Sequence, residues 1–114
     1  MGRISKALLC PLDELIPGTA RGFDPQGSGE DTVFAVNLKG RVYAYQDRCP
    51  HDGVTHLPWR RHAYLNHAKD RIVCSAHGAE FLIDSGKCVL GPCLGGRLTR
   101  VNVHIEGSSV LLET

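Results

Sequence analysis

Cys49-Pro50-His51 and Cys74-Ser75-Ala76-His77 constrain this chain more than any other feature, because each short segment offers one sulfur and one imidazole from a single tight loop. Twenty-two residues, 52 to 73, separate the two segments. A fold that lets the four side chains act together must therefore carry two distant loops to one place. Gly53 and Gly78 follow the histidines closely, and glycine lets a loop turn with positive φ and approach a ligand. Pro50 stiffens the first loop, and a third turn at Gly91-Pro92 comes soon after the second.

Two thiols and two imidazoles make a four-ligand metal site. Zinc accepts that mixture, but its usual finger spacing puts the cysteines together and then the histidines. Here each loop carries one of each. An iron–sulfur centre in which two His replace two Cys on one iron needs this mixed supply, since one iron takes both sulfurs and the other both nitrogens. The residues alone leave both metals open.

The rest of the sequence reads as short strands between turns. Ala7 to Leu9, Thr32 to Leu38, Arg41 to Gln46, Arg71 to Cys74, Glu80 to Asp84, Leu98 to Ile105 and Val110 to Leu112 are the expected strands. Lys39-Gly40, Ser85-Gly86 and Gly107-Ser108 supply turn signals. Val101, Val103 and Ile105 alternate with Asn102 and His104, the period expected of a half-buried strand. No long stretch has helical periodicity, and thirteen glycines with six prolines suit a turn-rich all-β domain, a small barrel or sandwich. Pro25 to Glu30 is expected to be a mobile loop. At 114 residues the chain is expected to be one domain, 1–114.

Together, Cys49-Pro50-His51-Asp52-Gly53 and Cys74-Ser75-Ala76-His77-Gly78 resemble the two cluster-binding motifs of the Rieske-type [2Fe-2S] ferredoxins, and the resemblance runs from about Ala7 to Leu112. It implies one [2Fe-2S] cluster, with Cys49 and Cys74 on one iron and His51 and His77 on the other. It implies antiparallel sheets with a cluster-binding subdomain, about 49–92, inserted in a basal domain. Gly91-Pro92 is similar to the family's proline loop over the cluster, and both imidazole edges would reach the surface as the electron exit. The stretch around Trp59 to His67 is longer than in many relatives, with Trp59 expected to help bury it.

Two ferric ions, two sulfides and two thiolates carry no net charge when the histidines are neutral, so reduction leaves a single negative charge. An all-cysteine cluster starts two charges more negative, which is why histidine ligation raises the potential to about −150 to +300 mV. High-potential relatives carry hydroxyls after the second motif and a disulfide between the loops. This chain has Ala79 and Phe81 at the first positions and Val54 and Ala76 at the second, so a potential toward the bottom of the range is expected.

The implied function is a one-electron carrier between a flavin-dependent reductase and a terminal oxygenase or related oxidoreductase, with no catalytic residues of its own. The small subunit of an assimilatory nitrite reductase-like complex and a zinc-stabilised structural module are the alternatives. A formal net charge of +1 gives no drive toward nucleic acid or anionic membrane. No apolar run is long enough to span a bilayer, and no signal peptide is legible, so a cytoplasmic protein is expected. Met1-Gly2 suggests lipidation, but Lys6 stands where that motif wants Ser or Thr.

Five cysteines leave Cys10, Cys88 and Cys93 beyond the ligand pair; Cys88 and Cys93 are close enough in sequence to pair, but free thiols are the expectation. Arg48, Arg60, Arg61, Lys69 and Arg71 cluster around the motifs with Asp47, Asp52 and Asp70 as counterweights. A solvated face is the expectation for these, with a basic docking rim as the sharper reading. His56, His62, His67 and His104 are expected to have no role in the site.

Overall fold

Val33 to Asn37 is buried on both sides, which only a strand between two apolar layers permits. The computed structural model describes residues 6–113, so Met1-Gly2 lies outside the described residues. Among the described residues there are nine strands: β1 (Lys6–Pro11), β2 (Thr19–Phe23), β3 (Val33–Leu38), β4 (Arg41–Gln46), β5 (Arg71–Cys74), β6 (Ala79–Leu82), β7 (Cys88–Leu90), β8 (Val103–Glu106) and β9 (Ser109–Glu113). A single 3-10 turn spans Leu12–Glu14. The strands form three antiparallel sheets ordered β1-β9-β8, β2-β3-β4 and β5-β6-β7.

The period of two along β3 explains how one strand serves two cores. Phe34 and Val36 point into a cluster with Tyr45, Tyr64, Ile72 and Phe81, while Val33 and Ala35 point the other way, against Cys10, Leu15, Phe23 and Val110. Tyr45 fastens the central sheet to the third one, its hydroxyl donating to the Ile83 carbonyl at 2.6 Å. Phe34 and Tyr64 stack at 4.2 Å with 9° between their planes, an arrangement that contributes about 0.5–1.5 kcal/mol beyond area burial.

The third sheet positions the second motif. β5 ends on Cys74 and β6 begins on Ala79, which are paired across the ladder. Ser75 to Gly78 is thus the tip of a hairpin, and Cys74 is held by the register of a buried strand pair. The first motif leaves the end of β4, where the Asp47 N–H bonds to the Thr32 carbonyl at 3.0 Å.

Several expected elements differ. Leu98 to Asn102 lies outside the ladders, bridging to β4 through Tyr45 with Arg100 while Leu98 sits in the core, and the strand starts at Val103. Ile105 is exposed rather than half-buried. Strands β2 and β7 were not anticipated. Pro25 to Glu30 turns around Asp24, whose carboxylate accepts the Ser28 N–H at 2.9 Å and the Gly29 N–H at 2.8 Å. Trp59 does not bury its loop: it is 71 % exposed and carries the Arg60 guanidinium 4.8 Å above its ring.

Candidate metal centre

Both motif loops close in the same way. The Gly53 N–H bonds to the Cys49 carbonyl at 2.8 Å, and the Gly78 N–H bonds to the Cys74 carbonyl at 2.8 Å. Each turn ends on a left-handed glycine, with φ of 77° at Gly53 and 72° at Gly78, a conformation that costs other residues about 1–2 kcal/mol. Histidine is the third residue of the first turn and the fourth of the second. Two equivalent turns thus present their sulfurs alike and their imidazoles differently.

Contacts between the loops bring them together. The Ser75 N–H and hydroxyl both donate to the Leu57 carbonyl, each at 2.9 Å. The Leu57 N–H donates in turn to Asp47 Oδ1 at 2.9 Å. Asp52 holds the first loop from within, accepting the Val54 N–H at 3.0 Å, the Thr55 N–H at 2.9 Å and the Thr55 hydroxyl.

The result is a convergent donor set. Cys49 Sγ, Cys74 Sγ and a His77 ring nitrogen lie within 4.8 Å of one another. His77 Nδ1 is 3.2 Å from Cys49 Sγ and 3.4 Å from Cys74 Sγ. His51 stands beside this trio, its ring meeting that of His77 edge-on at 4.6 Å between centroids. Both cysteines are fully buried, His51 is exposed, and the His77 side chain keeps 21 % of its surface in solvent. The sulfurs therefore lie inside and the imidazoles at the edge.

This donor set fits a metal centre in its chemistry as well as its geometry. Burial pushes the Cys49 thiol up to about 11, with Cys74 beside it adding to the effect. Two adjacent sulfurs in an apolar interior become thiolates only when positive charge is supplied to them. Cys93 also approaches the site, but burial and then its contact with Cys88 push its thiol up to about 12, so it rests protonated.

Among the remaining candidates, the basic residues are largely engaged elsewhere. Arg61 makes a two-pronged pair with Asp31 at 2.9 and 3.0 Å, Arg71 reaches Glu80 at 3.1 Å, and Arg60 lies over Trp59. His62 is structural, its Nδ1 accepting the Gly22 N–H at 2.9 Å. Asp47, counted above only as a counter-charge, is instead 1 % exposed and organises the approach to Cys49. Its place between a strand end and a motif cysteine was the one available sign.

Residues 5–104 match the Rieske [2Fe-2S] domain family. The chain is 26% identical over 110 residues to the 3-phenylpropionate/cinnamic acid dioxygenase ferredoxin subunit of Escherichia coli (strain K12), covering 96% of this chain and 94% of that one. It is similar to the ferredoxin of carbazole 1,9a-dioxygenase from Nocardioides aromaticivorans IC177, with a TM-score of 0.73 and 27% identity over 95% of this chain and 96% of the other. A chain in the complex of reduced oxygenase and oxidized ferredoxin in carbazole 1,9a-dioxygenase shares the fold, with a TM-score of 0.72 and 23% identity over 94% and 91%. No helix among the described residues is long and apolar enough to cross a membrane. The choice that ligand spacing left open between zinc and an iron–sulfur centre is thereby made, because the chain belongs to the Rieske [2Fe-2S] domain family, whose cofactor is one [2Fe-2S] cluster.

Proposed function

We propose that the chain is a one-electron carrier that takes electrons from a flavin-dependent reductase and passes them to a terminal oxygenase. In this reading Cys49 and Cys74 hold one iron and His51 and His77 the other. The carrying observation is the meeting of two buried sulfurs with the His77 nitrogen inside 4.8 Å, with the two imidazoles at the protein edge. When bound, the cluster supplies a one-electron couple and nothing else. The chain contributes the buried sulfur side, which excludes water, and the histidine side, which offers a partner the shortest path.

Ferredoxin subunits of dioxygenases are the relatives that support the partner, and one of the structural neighbours is a ferredoxin complex with its oxygenase. Val54 and Leu94, both largely exposed, place apolar surface on the first motif loop and on the loop after Gly91-Pro92. We read residues 1–114 as a single domain with its cluster-binding part at about 49–92. Five cysteines with no disulfide among them suit a reducing, cytoplasmic location.

Reconstitution with iron and sulfide tests the assignment. The wild type should turn red-brown and, once reduced, give an electron paramagnetic resonance signal of mixed Cys/His ligation. Cys49→Ser, Cys74→Ser, His51→Ala and His77→Ala should each lose that signal while keeping the β-rich circular dichroism spectrum. A full signal in any of the four removes that residue from the ligand set, and stopped-flow reduction of an oxygenase tests the carrier role.

A further inference from the structure

Cys88 and Cys93 are absorbed by no part of the ligand set, yet their sulfurs lie 3.0 Å apart, with the Cys93 thiol donating to Cys88. Cys88 opens β7 and is 1 % exposed, its N–H bonded to the Gly96 carbonyl at 2.9 Å. Cys93 is partly exposed, in a turn closed by the Gly96 N–H to the Cys93 carbonyl at 2.8 Å and the Leu94 N–H to the Gly91 carbonyl at 3.2 Å. Backbone bonds thus hold both ends of the segment. A disulfide needs an S–S distance of about 2.05 Å. From 3.0 Å the sulfurs must close only about 1 Å to reach it.

The same segment lies against the candidate cluster site. Gly91 has a φ of 100°, and a Cβ there would meet Ala79 Cα at 2.7 Å. The loop therefore rests directly on the strand that leaves His77. Cys93 packs on the apolar cluster that contains Cys49, Cys74 and Cys88.

We propose that Cys88 and Cys93 are a two-electron redox pair, converted by hydrogen peroxide to an intraloop disulfide that fastens the Gly91 to Gly96 loop over the two candidate ligand sulfurs. Two S–H bonds and the peroxide O–O bond break; one S–S bond and two water molecules form. Both electrons and both thiol protons pass to the peroxide oxygens. The partly exposed Cys93 meets the oxidant, and buried Cys88 resolves the sulfenic acid formed there. The pairing stands without the ligand assignment; the loop's covering role rests on it.

Trypsin provides a direct test, since cleavage after Lys87 and Arg97 leaves both cysteines in peptide 88–97. Cluster-loaded protein is treated with excess hydrogen peroxide, alkylated, digested and weighed. The expected peptide is two hydrogens lighter and unalkylated, returns to a doubly alkylated form after dithiothreitol, and does not form in Cys88→Ser or Cys93→Ser. A doubly alkylated wild-type peptide, a sulfinic acid at Cys93 or a cross-link from Cys93 to Cys49 would overturn the pairing. In the oxidised protein the Leu94 and Gly96 amides should exchange more slowly, and unchanged exchange would sink the fastening of the loop. Both readouts are independent of electron transfer, so a failure here is distinguishable from a failure of the ligand assignment.

Discussion

Tyr64 donates its hydroxyl to the buried Asp47 carboxylate at 2.8 Å, two residues before the first motif cysteine. Asp47 also takes the Leu57 N–H, and Leu57 receives both donors of Ser75 from the second loop. One carboxylate therefore connects the end of β4, the segment after the first loop and the hairpin tip. Burial, and then the Asp47 charge, push the Tyr64 phenol well above its ordinary range, so it remains a donor at every accessible pH.

Replacing Tyr64 with Phe keeps the ring that stacks on Phe34 but leaves a buried carboxylate oxygen short of its donor. Such a loss costs about 1–3 kcal/mol. Urea unfolding of Tyr64→Phe should show that drop in stability, together with weaker retention of the cluster against a chelator. A variant as stable as the wild type would mean that Asp47 does not depend on this bond.

Two parts of the structure differ in how far the sequence revealed them. Strands β4 and β5 were legible because local apolar runs and turn residues mark their ends. Strand β2 was not: Thr19-Ala20-Arg21-Gly22-Phe23 carries no such pattern and pairs only because β3 is beside it. Gly22 fits there because a Cβ would come within 2.5 Å of the Tyr64 hydroxyl and 2.6 Å of Asp31. The three donors that converge, Cys49, Cys74 and His77, stand out in the sequence because each lies within one of two short loops. The Asp47–Tyr64 bond does not, since it joins residues seventeen apart whose meeting depends on tertiary packing.

Glycine substitutions separate backbone strain from crowding. Gly53 has a φ of 77° with open space where a side chain would go, whereas at Gly91 a φ of 100° is combined with the Ala79 backbone at 2.7 Å. Gly53→Ala should cost about 1–2 kcal/mol, the left-handed penalty alone. Gly91→Ala must also displace the loop from β6, so its thermal midpoint should fall further. Equal midpoints would show that the loop yields freely.

Asp52 makes the first loop resistant to acid. The Thr55 hydroxyl, then the Thr55 and Val54 N–H groups, hold its carboxyl well below the usual carboxylate range. A depressed folded pKa means that the contribution is complete above the unfolded value, about 3.9, and is lost as pH falls through the folded one. Amide protection at Val54 and Thr55 should therefore persist through mildly acid solution and collapse only in strong acid. In Asp52→Ala it should be low throughout. Wild-type protection lost above the usual carboxylate value would contradict this order.

Ala79 and Phe81 are fully buried and lack hydroxyls, and Ala79 is the ladder partner of Cys74 on the same sheet face. Hydrogen bonds to ligand sulfurs raise the potential of such a cluster, because they offset the charge that reduction adds. Without a hydroxyl at either position, the midpoint should lie toward the lower end of the range of about −150 to +300 mV. Ala79→Ser places a donor beside the Cys74 sulfur and should shift the midpoint upward, while Ala79→Val, which adds bulk but no donor, should not. Protein-film voltammetry on the three proteins decides the matter. A strongly positive wild-type midpoint would require another source of sulfur hydrogen bonds, and equal shifts in both variants would assign the change to packing rather than to the hydroxyl.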